Sequence, residues 1–431
     1  MAGKALIVLL AAALIPVPAF AGTEGRAESP TLAERLADDY GIELAGFIEL
    51  RNGWRLVNDP YEKEASLAEA RMLLDLARDF GAVSARFKGE LGADLVDKEA
   101  IAGIREASLA FSPLEKIDLK VGRQVITWGT GDLLFINDHF PKDWVSFFTG
   151  RDDEYLKAPS DAVKASFFSA LADLDLVYSP LAASSIYIDG SRLSYWNGML
   201  GRTAGRDAVL DDEERNSWFT DFELAGRLSR NFAGTELALY AYHGFWKTPE
   251  GFAPASGRLF YPRLNAWGAS IRGSLLGGIG NLEAGWYDSK DDPDGDNPLI
   301  RNSELRFLAG FERELSRDFT GGVQYYLERI LDHDRYLATL PTGSPAADEN
   351  RHLLTVRLTR LLLGQNLRLS LFAYYSPSDR DFYLRPKAHY KLTDQWSVEA
   401  GANLFGGADD HTFFGQFDRN TNLYAGARYS F

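Results

Sequence analysis

The sequence predicts an all-β fold, an antiparallel transmembrane barrel of about eighteen strands (16–18) with short periplasmic turns and long extracellular loops. Three observations carry this. Period-two alternation of apolar and polar residues replaces helical periodicity over most of the chain. Most alternating segments run ten to fourteen residues, the length a tilted strand needs to cross a bilayer, whereas soluble strands usually stop near five or six. Short turns also alternate with long polar connections, as the two rims of an outer-membrane barrel require.

The chain has 431 residues, net charge −15, no cysteine and 13% aromatic residues. Without cysteine there is no disulfide framework and no thiolate metal site. The acidic balance argues against a nucleic-acid binder. Near the start, Lys4 precedes the apolar run Ala5 to Ile15, followed by Pro16 and an Ala19-Phe20-Ala21 cleavage pattern. This reads as a signal peptide over 1–21, too short for an anchor. Residues 22–43 read as a periplasmic N-terminal segment in which Leu32 and Leu36 suggest a short amphipathic helix.

The barrel is expected over 44–431. Its strands are placed at 44–55, 67–79, 82–94, 101–112, 116–128, 160–170, 173–179, 217–230, 233–246, 262–275, 278–288, 301–314, 317–329, 351–362, 366–376, 380–391, 394–404 and 421–431. Turns such as Asp79-Phe80-Gly81 and Leu392-Thr393-Asp394 join pairs on one side. Long connections at 129–159, 180–216, 247–261, 289–300, 330–350 and 405–420 join them on the other, while 95–100 and 377–379 are short for that side. The last strand puts Leu423, Ala425, Ala427, Tyr429 and Phe431 on one face. It resembles the terminal signature of bacterial outer-membrane barrels, which implies the barrel-assembly machinery as a partner through Phe431. A soluble secreted β-protein would instead have to bury these apolar faces in a core.

Alternation also assigns faces. Ile48, Leu50, Met72, Leu74, Leu76, Phe222, Leu224, Trp267, Ile271, Leu354, Val356, Leu358, Val398 and Leu404 point to lipid. Charges of both signs point inward, among them Glu49, Arg51, Glu69, Arg71, Arg272 and Glu283. Buried dry, unpaired ions would each cost several kcal/mol, so the lumen is expected to be polar. Arg351, Arg357, Arg368, Arg385, Lys387, Lys391 and Arg428 form a candidate basic wall. Asp173, Asp175, Asp221 and Glu223 form a candidate acidic one. Two walls of opposite sign would give a mild anion preference; local pairing across strands is the alternative.

The connection after the fifth strand mixes Phe135, Phe140, Trp144, Phe147, Phe148 and Tyr155 with Asp132, Asp138, Lys142, Asp143, Arg151, Asp152, Asp153 and Glu154. Rings in such numbers need a surface to pack on. Residues 129–159 are therefore expected to fold inward and narrow the lumen; a lid over the mouth is the other arrangement. The Gly122-Arg123-Gln124 and Trp128-Gly129-Thr130-Gly131-Asp132 stretch, this loop and the terminal Phe431 resemble a group of proteobacterial outer-membrane barrels, mostly uncharacterised porins. The plan is also similar to that of the eighteen-stranded alginate-export-type barrels, although mixed lumen charge argues against polyanion export. The resemblance implies a channel, with a constriction loop after strand five as in general porins.

Catalytic and metal readings are weak. Asp138-His139, Asp332-His333 and Asp410-His411 fall in loops, and adjacent side chains in one loop point apart. No G-x-S-x-G motif is present. Asp291 to Asn297 resembles part of a calcium loop, but Ser303 stands where the bidentate Glu is required. No enzyme activity, metal or cofactor is expected. The expected function is passive diffusion of small hydrophilic solutes across the outer membrane, with outer-membrane lipid as the surroundings. The alternative is an exporter or scaffold barrel for a polymer or periplasmic partner protein.

Overall fold

A computed structural model describes residues 32–431. The expected signal peptide lies outside them, as do residues 22–31. The amphipathic stretch forms helix α1, Leu32–Tyr40, and leads into the barrel.

Eighteen antiparallel strands form one closed sheet. They are β1 Ile42–Arg55, β2 Ala65–Asp79, β3 Val83–Asp94, β4 Glu99–Leu114, β5 Ile117–Gln124, β6 Ser160–Phe167, β7 Asp173–Ser179, β8 Glu223–Phe232 and β9 Thr235–Phe245. The second half comprises β10 Arg263–Leu275, β11 Gly278–Ser289, β12 Glu304–Ser316, β13 Phe319–Ile330, β14 Asn350–Leu362, β15 Leu367–Ser376, β16 Asp381–Lys391, β17 Trp396–Gly407 and β18 Asn422–Ser430. Each pairs with its neighbours in sequence, and β18 closes on β1 in the register Ile48↔Tyr429. Phe431 and Gly46 exchange both backbone hydrogen bonds at 3.0 Å, extending the seam to the last residue. Closure removes every sheet edge, which a bilayer demands because it offers no water to unpaired amides.

The side-chain pattern inverts that of a soluble protein. On β1, Glu49 is 4% exposed and Arg51 3%, while Leu50 between them is 56% exposed. Leu224, Leu239, Trp267, Leu282, Trp286, Leu354 and Leu423 are likewise exposed. Apolar atoms on the outside and ions within is the arrangement lipid selects, and it disposes of the soluble-secreted alternative.

Most strand ends fall within three residues of the expectation, and two differ by more. β5 stops at Gln124 rather than 128, because the backbone after it turns inward and Gly129 takes a left-handed φ of 81°. β8 starts at Glu223 rather than 217. Asp221 therefore lies in the preceding loop, where its carboxylate accepts from the Ser217 amide at 3.1 Å. The long connections also carry structure of their own. They include helices α2, Trp144–Thr149, and α3, His333–Thr339, and two short hairpins, Tyr195–Asn197 with Arg202–Ala204 and Gly251–Ala253 with Arg258–Phe260.

Candidate functional site

The segment 125–159 packs against inward-facing side chains around much of the barrel. Its first anchor is Glu283 on β11, 1% exposed. One carboxylate oxygen accepts from the Thr130 amide (2.9 Å), the Thr130 hydroxyl (3.1 Å) and the Gly131 amide (3.1 Å). The other accepts from the amide and side chain of Asn137, at 2.8 and 2.9 Å. The Gly129-Thr130-Gly131 stretch is thus a cradle of donors for a wall carboxylate. A Cβ on Gly129 would stand 2.8 Å from that carboxylate, so the position requires glycine for space as well as for φ. Gln324 on β13 adds a reciprocal tie, accepting from the Asp132 amide at 2.7 Å and donating to its carbonyl at 2.9 Å.

The second anchor is aromatic. Helix α2 begins at Asp143, whose carboxylate accepts from the Ser146 amide at 2.7 Å, and ends at Gly150 with φ 88°. It presents Phe147 and Phe148 to Tyr383, Phe405 and Phe417, with Phe148 centroids 5.0–5.4 Å from those three rings. Tyr383 stacks on Phe405 at 4.3 Å. Loop rings and lumen-wall rings therefore share one dry core, joined by Leu193, Tyr195 and Ala204 from the connection 180–222. The contribution of that second connection left no periodic signal in the sequence. Gly150 lies against the Tyr424 ring. We expect Gly150→Ala to cost about 2–3 kcal/mol of loop docking through its φ and this clash. Faster proteolytic nicking of 140–158 with an unchanged barrel melting temperature would show it; unchanged nicking would refute it.

The third anchor is ionic and uses the proposed basic residues. Arg357 meets Asp132 at 2.6 Å. Asp153 bridges Arg385 (2.9 Å) and Lys387 (3.1 Å). Arg428 joins Glu49 (2.8 Å) to Asp152 (3.0 Å). Arg151 pairs with the buried Glu69, which also holds Arg71 at 2.6 Å. Glu154 lies 3.8 Å from Lys88, and its carbonyl accepts from Arg105 at 3.0 Å. Although burial opposes ionisation, the two cations at Asp153 hold its carboxyl well below the usual range, and Arg428 lowers that of Asp152.

Within the loop, Asp138 meets the buried Lys142 at 3.0 Å and accepts from the Thr127 hydroxyl at 2.8 Å. His139 is sandwiched against Tyr242, with centroids 4.8 Å apart, and Tyr287. Asp138 is thus committed to partners other than its neighbouring histidine.

The remaining wall residues do not form two opposed fields. Arg351 is paired with Asp379 at 2.6 Å and Lys391 with Asp394 at 2.9 Å, the latter at the short-turn rim. Arg368 faces the lumen and pairs with no acid among the described residues. Of the acidic set, Asp175 lies between Lys164 and Arg227, at 3.5 and 3.6 Å. Glu223 is tied to Lys247 and accepts from the Tyr242 hydroxyl. Asp173 is exposed at the short-turn end of β7, and Asp221 is off the wall. Cross-strand and loop pairing has taken up most of the charge.

The partial calcium pattern has another use. Asp292 accepts from the Asp296 and Asn297 amides at 3.2 and 3.1 Å, so its carboxylate closes the loop on its own backbone.

Below the loop, toward the short turns, the lumen opens into polar cavities of about 650, 380 and 250 Å³, bordered by residues such as Lys120, Glu106 and Arg428. Above it lies a cavity of about 530 Å³ with a largely aromatic lining.

No protein-family profile matches the chain, and no curated protein matches it either. Solved structures do. OccAB3 of Acinetobacter baumannii superposes with a TM-score of 0.55 at 12% identity, over 90% of this chain and 99% of that one. OccK11 (OpdR) of Pseudomonas aeruginosa gives 0.54 at 11% identity, over 90% and 95%. A triple mutant of Rhodopseudomonas blastica porin matches over 90% and 100% at 10% identity with a TM-score of 0.41. At these identities the likeness to the two Occ structures is one of fold, and this chain's closed eighteen-strand barrel is of the kind that sits in the bacterial outer membrane.

Proposed function

We propose that the protein is an outer-membrane porin, a passive diffusion channel for small hydrophilic solutes whose bore is narrowed by residues 125–159. The supporting observation is the triple anchoring of that loop to inward-facing side chains, with polar cavities on its periplasmic side. A free carboxylate-rich loop would be solvated; this one is held across the lumen. The narrowing weighs against the exporter or scaffold reading, which needs a bore open to a polymer or partner.

Selectivity is proposed to be mildly anionic and to depend on Arg272 and Arg368, lumen cations that form no ion pair among the described residues, Glu236 opposite Arg272 being held by Arg227 at 2.8 Å. Arg357, Arg385, Lys387 and Arg428 serve chiefly to hold the loop. Assembly is proposed to proceed through the C-terminal strand, with Phe431 at the seam.

The test is single-channel conductance of the refolded protein in a planar bilayer, with a salt gradient. Steady channels with a reversal potential of anion-preferring sign support the reading, and Arg272→Gln with Arg368→Gln should bring that potential to zero or invert it. A barrel closed until 130–158 is deleted would make the loop a plug and favour the gated-exporter reading.

A further inference from the structure

The cavity above the loop is unlike the polar spaces below it. Its volume of about 530 Å³ falls in the range of small-molecule sites, ~300–1,000 Å³. Trp144, Tyr187, Trp246, Tyr287, Phe413 and Phe417 line it, contributed by four different loops and the wall. Phe413 is 45% exposed although it is a large ring. Such a lining favours ring solutes through stacking and displacement of water.

Its charged floor specifies more. Arg306 lies 4.0 Å over the Tyr287 ring, Arg301 4.8 Å over Trp246 and Arg351 4.8 Å over Phe413. Arg301 meets Glu250 at 3.1 Å and Glu328 at 3.3 Å and is also tied to Glu304. Arg306 meets Glu304 at 2.7 Å, and Arg351 meets Asp379 at 2.6 Å. Three guanidinium groups thus face four carboxylates: Glu250, Glu304, Glu328 and Asp379. The adjoining Lys142–Asp138 and Lys247–Glu223 pairs are neutral. A solute carboxylate would enter a cluster already carrying one negative charge in excess. One donor is nonetheless free, since Nη2 of Arg351 is buried without a hydrogen-bond partner. A buried orphan donor costs about 1–3 kcal/mol, which an acceptor oxygen would recover.

We propose that this outer cavity binds a neutral aromatic solute carrying a hydrogen-bond acceptor, its ring among Trp246, Tyr287 and Phe413 and its acceptor at Arg351 Nη2. This deepens the channel reading by naming the solute class held at its outer mouth. The probe is benzamide, titrated calorimetrically into the barrel in lipid nanodiscs, with empty nanodiscs subtracted for partitioning. Benzoate and cyclohexanecarboxamide are the comparators.

The expected result is saturable benzamide binding, about tenfold tighter than either comparator. Phe413→Ala, on an exposed loop position that the barrel does not need in order to fold, should weaken it about fivefold. Arg351→Met should abolish the advantage of benzamide over toluene. Absence of saturable binding, benzoate binding as tightly as benzamide, or identical affinity in the Phe413→Ala barrel would each overturn the proposal. The binding readout needs no current. A barrel that binds benzamide yet carries no current sinks the channel reading alone, and one that conducts but ignores benzamide sinks this proposal alone.

Discussion

Glu283→Gln should free the start of the lumen loop and turn a quiet channel into a larger, noisy one. Five donors converge on the wild-type carboxylate: both Thr130 groups, the Gly131 amide and both Asn137 groups. A carboxylate is acceptor-only, and its two charged oxygens take all five, two on Oε1 and three sharing Oε2. The isosteric amide cannot. Whichever way it is turned, its NH2 faces either two or three N–H and O–H donors, of which the Asn137 side chain alone keeps a second acceptor, the Ala284 carbonyl at 3.2 Å. Hydrogen bonds to a charged group contribute ~1.5–3 kcal/mol each, and stranded buried donors add their desolvation cost. The loss for loop docking is about 4 kcal/mol. Strand β11 itself should survive, because its pairing with β10 and β12 is backbone-mediated. The Gln324 tie, the Arg357–Asp132 pair and the aromatic anchor remain, so 129–131 and 133–137 loosen on either side of the held Asp132 while the rest of the loop stays. Higher mean conductance and open-state noise, with the wild-type heat-resistant mobility on gels, is the expected outcome. Wild-type conductance in this variant would mean that the cradle does not position the loop.

That cradle also marks how far the sequence could be read. All eighteen strands were legible because alternation over ten or more residues is imposed by the two faces of a membrane barrel. The ends that shifted most, at Gln124 and Glu223, lie where a strand runs into a long loop and tertiary contacts decide the boundary. Rings in 135–155 signalled a packed loop, but not which rings of the wall receive them. Glu283 was legible as an inward acid and no more, since its value comes from donors some 150 residues earlier in the chain. The two-wall field failed for a related reason. Counting charge along strands omits the acids Asp132, Asp152 and Asp153, which the loop carries across to the basic side.

The largest pH effect should come from His139. It lies on the loop, 6% exposed. Burial first, and then the positive charges of Arg306, Lys247 and Lys142, push its pKa down to about 3. On an undocked loop it would titrate near ~6.5. The undocked form therefore binds the proton more readily, and docking is stabilised above pH ~6.5 and loses that stabilisation as pH falls toward about 3. At ~1.36 kcal/mol per pH unit, the loss at pH 4 relative to pH 8 is about 3 kcal/mol. The other loop groups divide. Asp152 and Asp153, with lowered pKa values, keep their ties through this window, and only stronger acid removes them. Asp132, with its carboxyl raised by burial, takes up a proton more readily when docked and so opposes the histidine. The net expectation is a loop that loosens between pH 6 and 4 at its His139 end while its Asp153 end stays latched. Conductance should rise over that interval in the wild-type barrel. His139→Phe keeps the stacking on Tyr242 and removes the titration, so its conductance should stay level from pH 7 to 4. Parallel curves for the two proteins would show that the histidine has no part in the response.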